Sequence, residues 1–281
     1  MTVYSLGLTG WPLGHSLSPR LHRAALASAG LQGDYRLYPV ENLPGFKQGL
    51  SNLVDRVRGG DLHGLNVTIP YKQQVLDLCD ELTPAARTIG AANTIYKQGG
   101  KVIGDNTDAG GFMHDLGNHH FVPPPDQAKT ALVLGAGGAA RAVVYALVVD
   151  GWSVTLSSRR LEQAAEVAAC LPRYAHLLEA LPLNMAIVKI DFRLVVNCTP
   201  VGMSPHPEES PWPVDLALPA HAFIYDLVYN PRLTRLVTDA RLVGLRAETG
   251  LGMLVEQAAL AFEIWTGCKA DRAAMAGAVA E

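Results

Sequence analysis

The chain is poor in the residues that build disulfide scaffolds, zinc ribbons and membrane spans. Its four cysteines, Cys79, Cys170, Cys198 and Cys268, are scattered with no CxxC pair. That excludes a disulfide framework or a zinc ribbon and leaves buried free thiols, the pattern of a reducing, cytoplasmic compartment. Lysine and arginine form no run and the formal net charge is −3. Nothing would trace a phosphate backbone, so nucleic acid is excluded as a partner. Long apolar runs are also missing. The opening MTVYSLGLTGWPLGHS has neither a basic leader nor an unbroken apolar core, and the stretch from Ala131 to Val149 is interrupted by glycines and Arg141. No secretion signal and no membrane partner are expected. No histidine spacing suggests a metal site: His15 and His22 read as structural, and His119-His120 as a solvated loop.

The chain does have 281 residues, 49% of them hydrophobic, enough for one large α/β domain or two ordinary ones. Its first third alternates strand-like and helix-like segments: Val3 to Leu8, a helix from Pro19 to Ala29, the strand YRLYPV, a helix over Gly45 to Val57, and the buried strand LNVTI. Asn93 to Tyr96 and Lys101 to Ile103 flank Gln98-Gly99-Gly100 and predict a hairpin, followed by a helix from Ala109 to Gly117. The three prolines of FVPPPDQAK can continue neither a helix nor a central strand, which places a domain junction near them. Strands are then expected at RLVVNCT, AFIYDLV and LRAET, and helices at Leu254 to Trp265 and Asp271 to Val279. The stretch from Ala175 to Asp191 gives no clear pattern.

The most specific local signal is TALVLGAGGAARAVVYALVV. Gly135, Gly137, Gly138 and Ala139 follow G-x-G-x-x-[GA] between a strand and an apolar helix. In that context glycines let a pyrophosphate approach backbone N–H groups at the positive end of the helix. At the end of the next strand a carboxylate would hold a ribose 2′-hydroxyl. The chain has Ser157-Ser158-Arg159-Arg160 instead. Guanidinium groups bind a 2′-phosphate and a carboxylate repels one, so the cofactor reads as NADP(H). Arg160 by itself could equally cap an exposed loop.

Hydride transfer to a carbonyl leaves an alkoxide that needs a proton donor. Lys72, just past the LNVTI strand and Pro70, is placed to point into a cleft, and the cluster Gly104-Asp105-Asn106-Thr107-Asp108 can supply a carboxylate to hold it. The spacing also allows a blander arrangement, with Lys72 a solvated first-turn helix residue and Asp108 a helix N-cap.

Eight segments in order carry a resemblance over essentially the whole chain: GHSLSPRLH, NVTIPYK, GAANT, GDNTDAGGF, GAGGAAR, NCTPVGM, YDLVYNP and GLGMLVEQAALAFEIWTG. Together they resemble the shikimate dehydrogenases. The resemblance implies an α/β protein of two domains separated by a cleft. One is a discontinuous substrate domain with a mixed sheet, residues 1–110 plus 254–281, and the other a Rossmann-like NADP-binding domain, residues 111–253. It implies NADPH-dependent reduction of 3-dehydroshikimate to shikimate, on the way to aromatic amino acids. By motif, Lys72 and Asp108 are the catalytic pair, with the proton carrier between them left open. Ser16 and Ser18 match hydroxyls that bind the substrate carboxylate, Thr68, Asn93 and Gln257 match contacts to the ring and its hydroxyls, and Tyr229 closes the site. Ser18 can serve as a helix N-cap as well. Met203 and Gly250 fall near the nicotinamide, and Ser158, Arg159 and Arg160 replace the family's Asn-Arg-Thr, losing one adenosine contact and gaining a guanidinium. Two alternatives remain: a quinate or dual quinate/shikimate dehydrogenase, and a non-catalytic NADP-binding sensor. Monomer and homodimer are both compatible with the sequence.

Overall fold

The computed structural model describes residues 2–121, 127–189 and 191–280. The prolines at 123–125 lie outside them. The chain divides into two compact units, Met1–Gly111 with Val255–Glu281, and Phe112–Leu254. The division falls inside a helix, ahead of the proline stretch where composition suggested a junction. No helix of the described residues is long and apolar enough to cross a membrane.

The first unit is a mixed sheet. Strands β1 (Val3–Gly10), β2 (Gln32–Pro39), β3 (Gly64–Val67), β4 (Glu81–Leu82), β5 (Thr94–Gln98) and β6 (Lys101–Asp105) lie in the order β2-β1-β3-β5-β6-β4. β1 pairs in parallel with β2 and β3, β5 is antiparallel to β3 and β6, and β4 is parallel to β6. The β5–β6 hairpin turns on Gly99 and Gly100 at φ +59° and +83°, the left-handed backbone that only glycine adopts freely. Helices α1 (Ser18–Ser28), α2 (Phe46–Gly59) and α3 (Pro84–Ile89) fill the connections. On α2, Leu50, Leu53, Val54 and Val57 recur at helical spacing and all four are buried among Leu62, Leu65, Tyr71 and Ile95.

Past Lys72 the expected helix is only a 3-10 turn, Gln74–Leu78. The chain is needed elsewhere: Asp80 is tied to the Val102 backbone of β6, its N–H reaching the Val102 carbonyl at 2.9 Å and its carboxylate taking the Val102 N–H at 2.7 Å. A longer helix would carry it past that edge. α4 (Asp108–Asn118) leaves the hairpin, and the chain returns to this unit in α9 (Leu251–Thr266) and α10 (Arg272–Ala278).

The second unit is a parallel sheet. It contains β7 (Thr130–Leu134), α5 (Gly138–Val149), β8 (Ser153–Ser157), α6 (Leu161–Ala169), β9 (Leu178–Ala180), α7 (Leu183–Lys189), β10 (Leu194–Asn197), β11 (Phe223–Asp226), α8 (Arg235–Leu242) and β12 (Ala247–Thr249). The order is β12-β11-β10-β7-β8-β9, every pair parallel. In units of sequence rank this is the 3-2-1-4-5-6 array of dinucleotide-binding sheets. α5 is buried on nearly every side, as a helix apolar all round but for Arg141 requires. The unpatterned stretch proves to hold a 3-10 turn (Pro172–Leu177), the edge strand β9 and α7.

Two side-chain expectations change. Cys170 is exposed, and the other three cysteines are half-buried and free. His119 is not simply solvated. It lies 3.5 Å from the Asp115 carboxylate, whose hydrogen bond raises its pKa, and it packs against the ring of Phe223.

Gly64 shows how tightly the first unit is closed. A Cβ there would stand 2.3 Å from the ring of Trp265 on α9, so that ring lies directly against the β3 backbone. Gly64→Ala is expected to lower the unfolding free energy by about 1–3 kcal/mol, the usual cost of overpacking. Urea unfolding of the two proteins side by side would show it, and an unchanged midpoint would mean that α9 yields at no cost.

Candidate active site

In the first unit Lys72 is fixed through its backbone, because its carbonyl accepts the Ala92 N–H at 2.7 Å. Its ammonium donates to Asp108 Oδ2 at 2.6 Å, and the two side chains are only 13% and 5% exposed. Asp108 is free for this because it does not cap α4. Asn106 does so instead, its Oδ1 accepting the N–H groups of Asp108 and Ala109 at 3.1 and 3.4 Å. Asp105, the other carboxylate of the cluster, is occupied by the Thr83 hydroxyl and the Asn106 N–H, both at 2.7 Å.

The second oxygen of Asp108 is filled by Asn93. The Asn93 amide can point only one way, since its Oδ1 accepts the Thr107 backbone N–H at 2.8 Å. Its Nδ2 therefore faces Asp108 Oδ1 at 2.8 Å, the Thr107 hydroxyl at 2.9 Å and Gln257 Oε1 at 3.3 Å. Behind it, Asn66 Nδ2 donates to the Asn93 carbonyl at 3.0 Å and to the Thr94 hydroxyl at 3.2 Å, and Asn66 Oδ1 accepts from the buried Tyr35 hydroxyl at 2.8 Å. The Tyr35 ring stacks on His22, centroids 4.3 Å apart and nearly coplanar. Thus Lys72, Asp108, Asn93 and Gln257 meet in one hydrogen-bonded cluster. Sequence reasoning did not single out Asn66, Thr94, Asn106, Thr107 or Tyr35. The available signal was a polar residue recurring inside otherwise buried strand segments.

Ser16 and Ser18 also meet, but not as expected. Ser18 does not cap α1: Leu17 holds that position without a side-chain bond, and the Ser18 N–H is taken by Ser16 Oγ at 3.3 Å. Thr68, half-buried at the end of β3, is tied by its N–H to the Thr9 carbonyl at 2.9 Å, leaving its hydroxyl uncommitted to the backbone.

In the second unit Gly135 leaves β7 at φ +109°, its N–H on the Ser157 carbonyl at 2.7 Å. A Cβ on it would lie 3.2 Å from the Cys198 backbone, whereas one on Gly137 would meet nothing within 4 Å. The turn thus packs on one side and is open on the other, where Gly138 and Ala139 begin α5 and present its unpaired N–H groups. At the carboxyl end of β8, Ser158 Oγ donates to the Arg160 carbonyl at 2.5 Å, and Arg159 and Arg160 are exposed. The residues present fit a dinucleotide with a 2′-phosphate: an open helix end, no carboxylate at the ribose position, and two free-standing guanidinium side chains. Beyond β10 and β11, Met203 is exposed, and Tyr229 is half-buried with its phenol pKa raised by burial. Gly250 is obligatory, as a Cβ would stand 2.2 Å from the Leu227 carbonyl. Among the described residues one exposed trio, His206, Glu208 and Glu209, gathers donor atoms within 4.8 Å, a grouping common on surfaces without any ion.

A 3-2-1-4-5-6 parallel sheet with an open glycine turn, together with a buried lysine–carboxylate pair in the first unit, defines a dinucleotide-dependent dehydrogenase. Comparison with known proteins narrows this. Residues 8–95 match the shikimate dehydrogenase substrate binding domain, and residues 250–280 match the shikimate 5′-dehydrogenase C-terminal domain. The chain is 39% identical to a shikimate dehydrogenase (NADP(+)) of Shouchella clausii over 96% of its own length and 95% of the relative's. Among solved structures it is similar to shikimate 5-dehydrogenase from Thermus thermophilus in complex with NADP(H) and shikimate, with 38% identity, 98% of each chain covered and a TM-score of 0.85. It is also similar to quinate dehydrogenase from Corynebacterium glutamicum in complex with NAD, with 30% identity, 98% of each chain covered and a TM-score of 0.86. The chain belongs to the shikimate dehydrogenase family.

His22, beneath this cluster, generates a test. It is fully buried, and burial, only partly opposed by the Asn66 side chain, pushes its pKa from 6.5 to about 3. The unfolded chain takes up this proton near 6.5 and the folded chain only near 3. The stabilisation is therefore complete above about pH 6.5 and is lost as pH falls toward 3, by up to about 1.4 kcal/mol per pH unit. Urea unfolding at pH 7 and pH 4.5 should show a smaller acid loss for His22→Phe than for the parent chain. Equal losses would mean that His22 is protonated in the folded protein.

Proposed function

We propose that this chain catalyses the reversible, NADP(H)-dependent reduction of 3-dehydroshikimate to shikimate, with Lys72 and Asp108 at the reacting carbonyl and its neighbouring hydroxyl. The observation that carries the reading is the buried Lys72–Asp108 contact of 2.6 Å. When bound, the cofactor supplies the hydride. Everything else is the work of side chains.

The proton that completes reduction comes from Lys72. Asp108 is acceptor-only, with one oxygen on the Lys72 ammonium and the other on the Asn93 amide, so it carries no proton to give. The ammonium has three N–H bonds and spends one of them on Asp108. That bond aims the lysine, and the others remain for the substrate oxygen. Asp108 keeps lone pairs for a substrate hydroxyl, and Asn93 with Gln257 fixes the other side of its carboxylate. The two hydroxyls of Ser16 and Ser18 receive the substrate carboxylate, Thr68 adds a hydroxyl to the ring, and Tyr229 covers it. On the parallel sheet, Gly135, Gly137, Gly138 and Ala139 take the pyrophosphate, Ser158, Arg159 and Arg160 the 2′-phosphate side, and Met203 with Gly250 the nicotinamide. Four free cysteines support a reducing, cytoplasmic setting.

The likeness to a quinate dehydrogenase keeps that substrate as the second reading, because one extra ring hydroxyl is a small discrimination for a pocket. Initial rates with shikimate and quinate, each with NADP and with NAD, separate them. Turnover is expected with shikimate and NADP. No turnover of that pair would end the primary reading, and equal rates with quinate would promote the second. Lys72→Ala should lower kcat by about 10²–10⁴-fold with little change in KM, since a proton donor acts in the transition state. A change confined to KM would leave Lys72 a binding residue.

A further inference from the structure

The dinucleotide sheet holds a buried charge that the mechanism above does not use. Asp226 ends β11 and is fully buried. Its Oδ1 accepts from Asn197 Nδ2 at 2.8 Å and from the Val228 N–H at 3.0 Å, and its Oδ2 accepts from the Thr234 hydroxyl at 2.7 Å. All three partners are uncharged and come from three segments: the end of β10, the loop after β11 and the start of α8. Burial pushes the carboxyl pKa up to about 6, against the three hydrogen bonds, so at neutral pH the group is an anion. A buried anion with no cation is costly, and an uncharged amide could tie the same loops.

Its place in the sheet suggests why a charge stands there. The pyrophosphate site is the glycine turn after β7, and the 2′-phosphate side lies at the end of β8. In the order β12-β11-β10-β7-β8-β9 the other half of the dinucleotide then extends over the carboxyl ends of β10, β11 and β12. Asp226 stands at that end of β11. The Cys198 thiol, one residue past the end of β10, has its pKa raised by burial and further by the Asp226 charge, and the Cys198 backbone stands 3.2 Å from where a Cβ on Gly135 would be. A nicotinamide ring is cationic when oxidised and neutral when reduced. Every other charge of the cofactor is common to both forms.

We propose that Asp226 selects the redox state of the bound cofactor, its carboxylate favouring NADP⁺ over NADPH. The proposal rests on the cofactor reading above. The charge contributes to one affinity and not the other, so it sets the ratio of the two dissociation constants. Merely tying the loops together would affect both alike.

The test is to measure the Kd of NADP⁺ and of NADPH for the whole chain at pH 7.5, by calorimetry, in the parent and in Asp226→Asn. The ratio Kd(NADP⁺)/Kd(NADPH) should rise roughly three- to ten-fold in the variant, the scale of one unit charge acting through a medium of high effective dielectric. Thr234→Ala removes a tie and, because that hydroxyl holds the Asp226 pKa down, is compared with the parent at pH 9, where the carboxyl stays charged; there the ratio should be unchanged. Equal weakening of both forms in Asp226→Asn makes Asp226 a structural tie and overturns the proposal. A parent chain that binds neither form overturns the cofactor reading instead. Should Asp226→Asn not fold, the parent serves alone: its ratio should rise severalfold between pH 8 and pH 5.5 as the carboxyl takes up its proton near 6. The groups that face it, Asn197, Val228, Thr234 and the still protonated Cys198 thiol, do not titrate in that range, and the 2′-phosphate is common to both ligands. A flat ratio would overturn the proposal.

Discussion

The first unit is organised around the requirement that a lysine and a carboxylate be out of water together. Removing either partner of such a pair leaves an uncompensated charge at a cost of about 3–5 kcal/mol, and even an intact pair must have its remaining lone pairs satisfied. That condition accounts for the residues around it. Asp108 Oδ2 goes to Lys72, so Oδ1 needs a donor, and Asn93 supplies it. Asn93 must not flip, so Thr107 gives it a backbone N–H. The Asn93 carbonyl must be filled, so Asn66 turns its amide inward and leaves Oδ1 for the Tyr35 hydroxyl. Each step follows from the one before, and the outermost members, Tyr35 and His22, are aromatic rings that seal the chain of bonds with apolar surface.

A catalytic pair in this setting has little freedom. The Lys72 carbonyl is bonded to Ala92, Asp108 is held at both oxygens, and the cap that would have claimed Asp108 is provided by Asn106. Preorganisation of this kind reduces the reorganisation needed when charge develops in a transition state. It also explains why a short polar motif such as GDNTD spends its residues as it does. Asp105 closes a turn, Asn106 caps, Thr107 orients Asn93, and only Asp108 is left to meet the lysine.

Much of this was legible in the sequence, and the limits are physical. The hairpin at Gly99-Gly100, the glycine turn after β7 and the alternation of strands and helices follow from local rules that a single stretch can obey by itself. Lys72 stood out as a proton donor just past a strand end, with GDNTD as a source of carboxylate, but spacing equally allowed a solvated lysine and an N-cap aspartate, and the pairing with Asp108 came from the family resemblance. Three things escaped, the first two because each is decided by a partner distant in sequence. β9 is a three-residue edge strand, with too few residues to show a period, and exists because β8 offers it an edge. The turn after Lys72 is cut short by the pairing of Asp80 with Val102. Ser18 looked like an N-cap because serine before proline usually is one, but the preceding serine takes its N–H.

Two of the buried carboxylates, Asp108 and Asp226, show how environment divides a single functional group into different uses. Asp108 meets a full positive charge, and its field is spent locally on aiming one ammonium. Asp226 meets only amides and a hydroxyl, which stabilise an anion without cancelling it, so its field extends beyond its own hydrogen bonds, as the Cys198 thiol registers. A carboxylate paired with a cation serves geometry, and one held by neutral donors serves potential. Hydride transfer needs both, because a proton must be delivered at one place and a positive charge on a ring must appear and vanish at another.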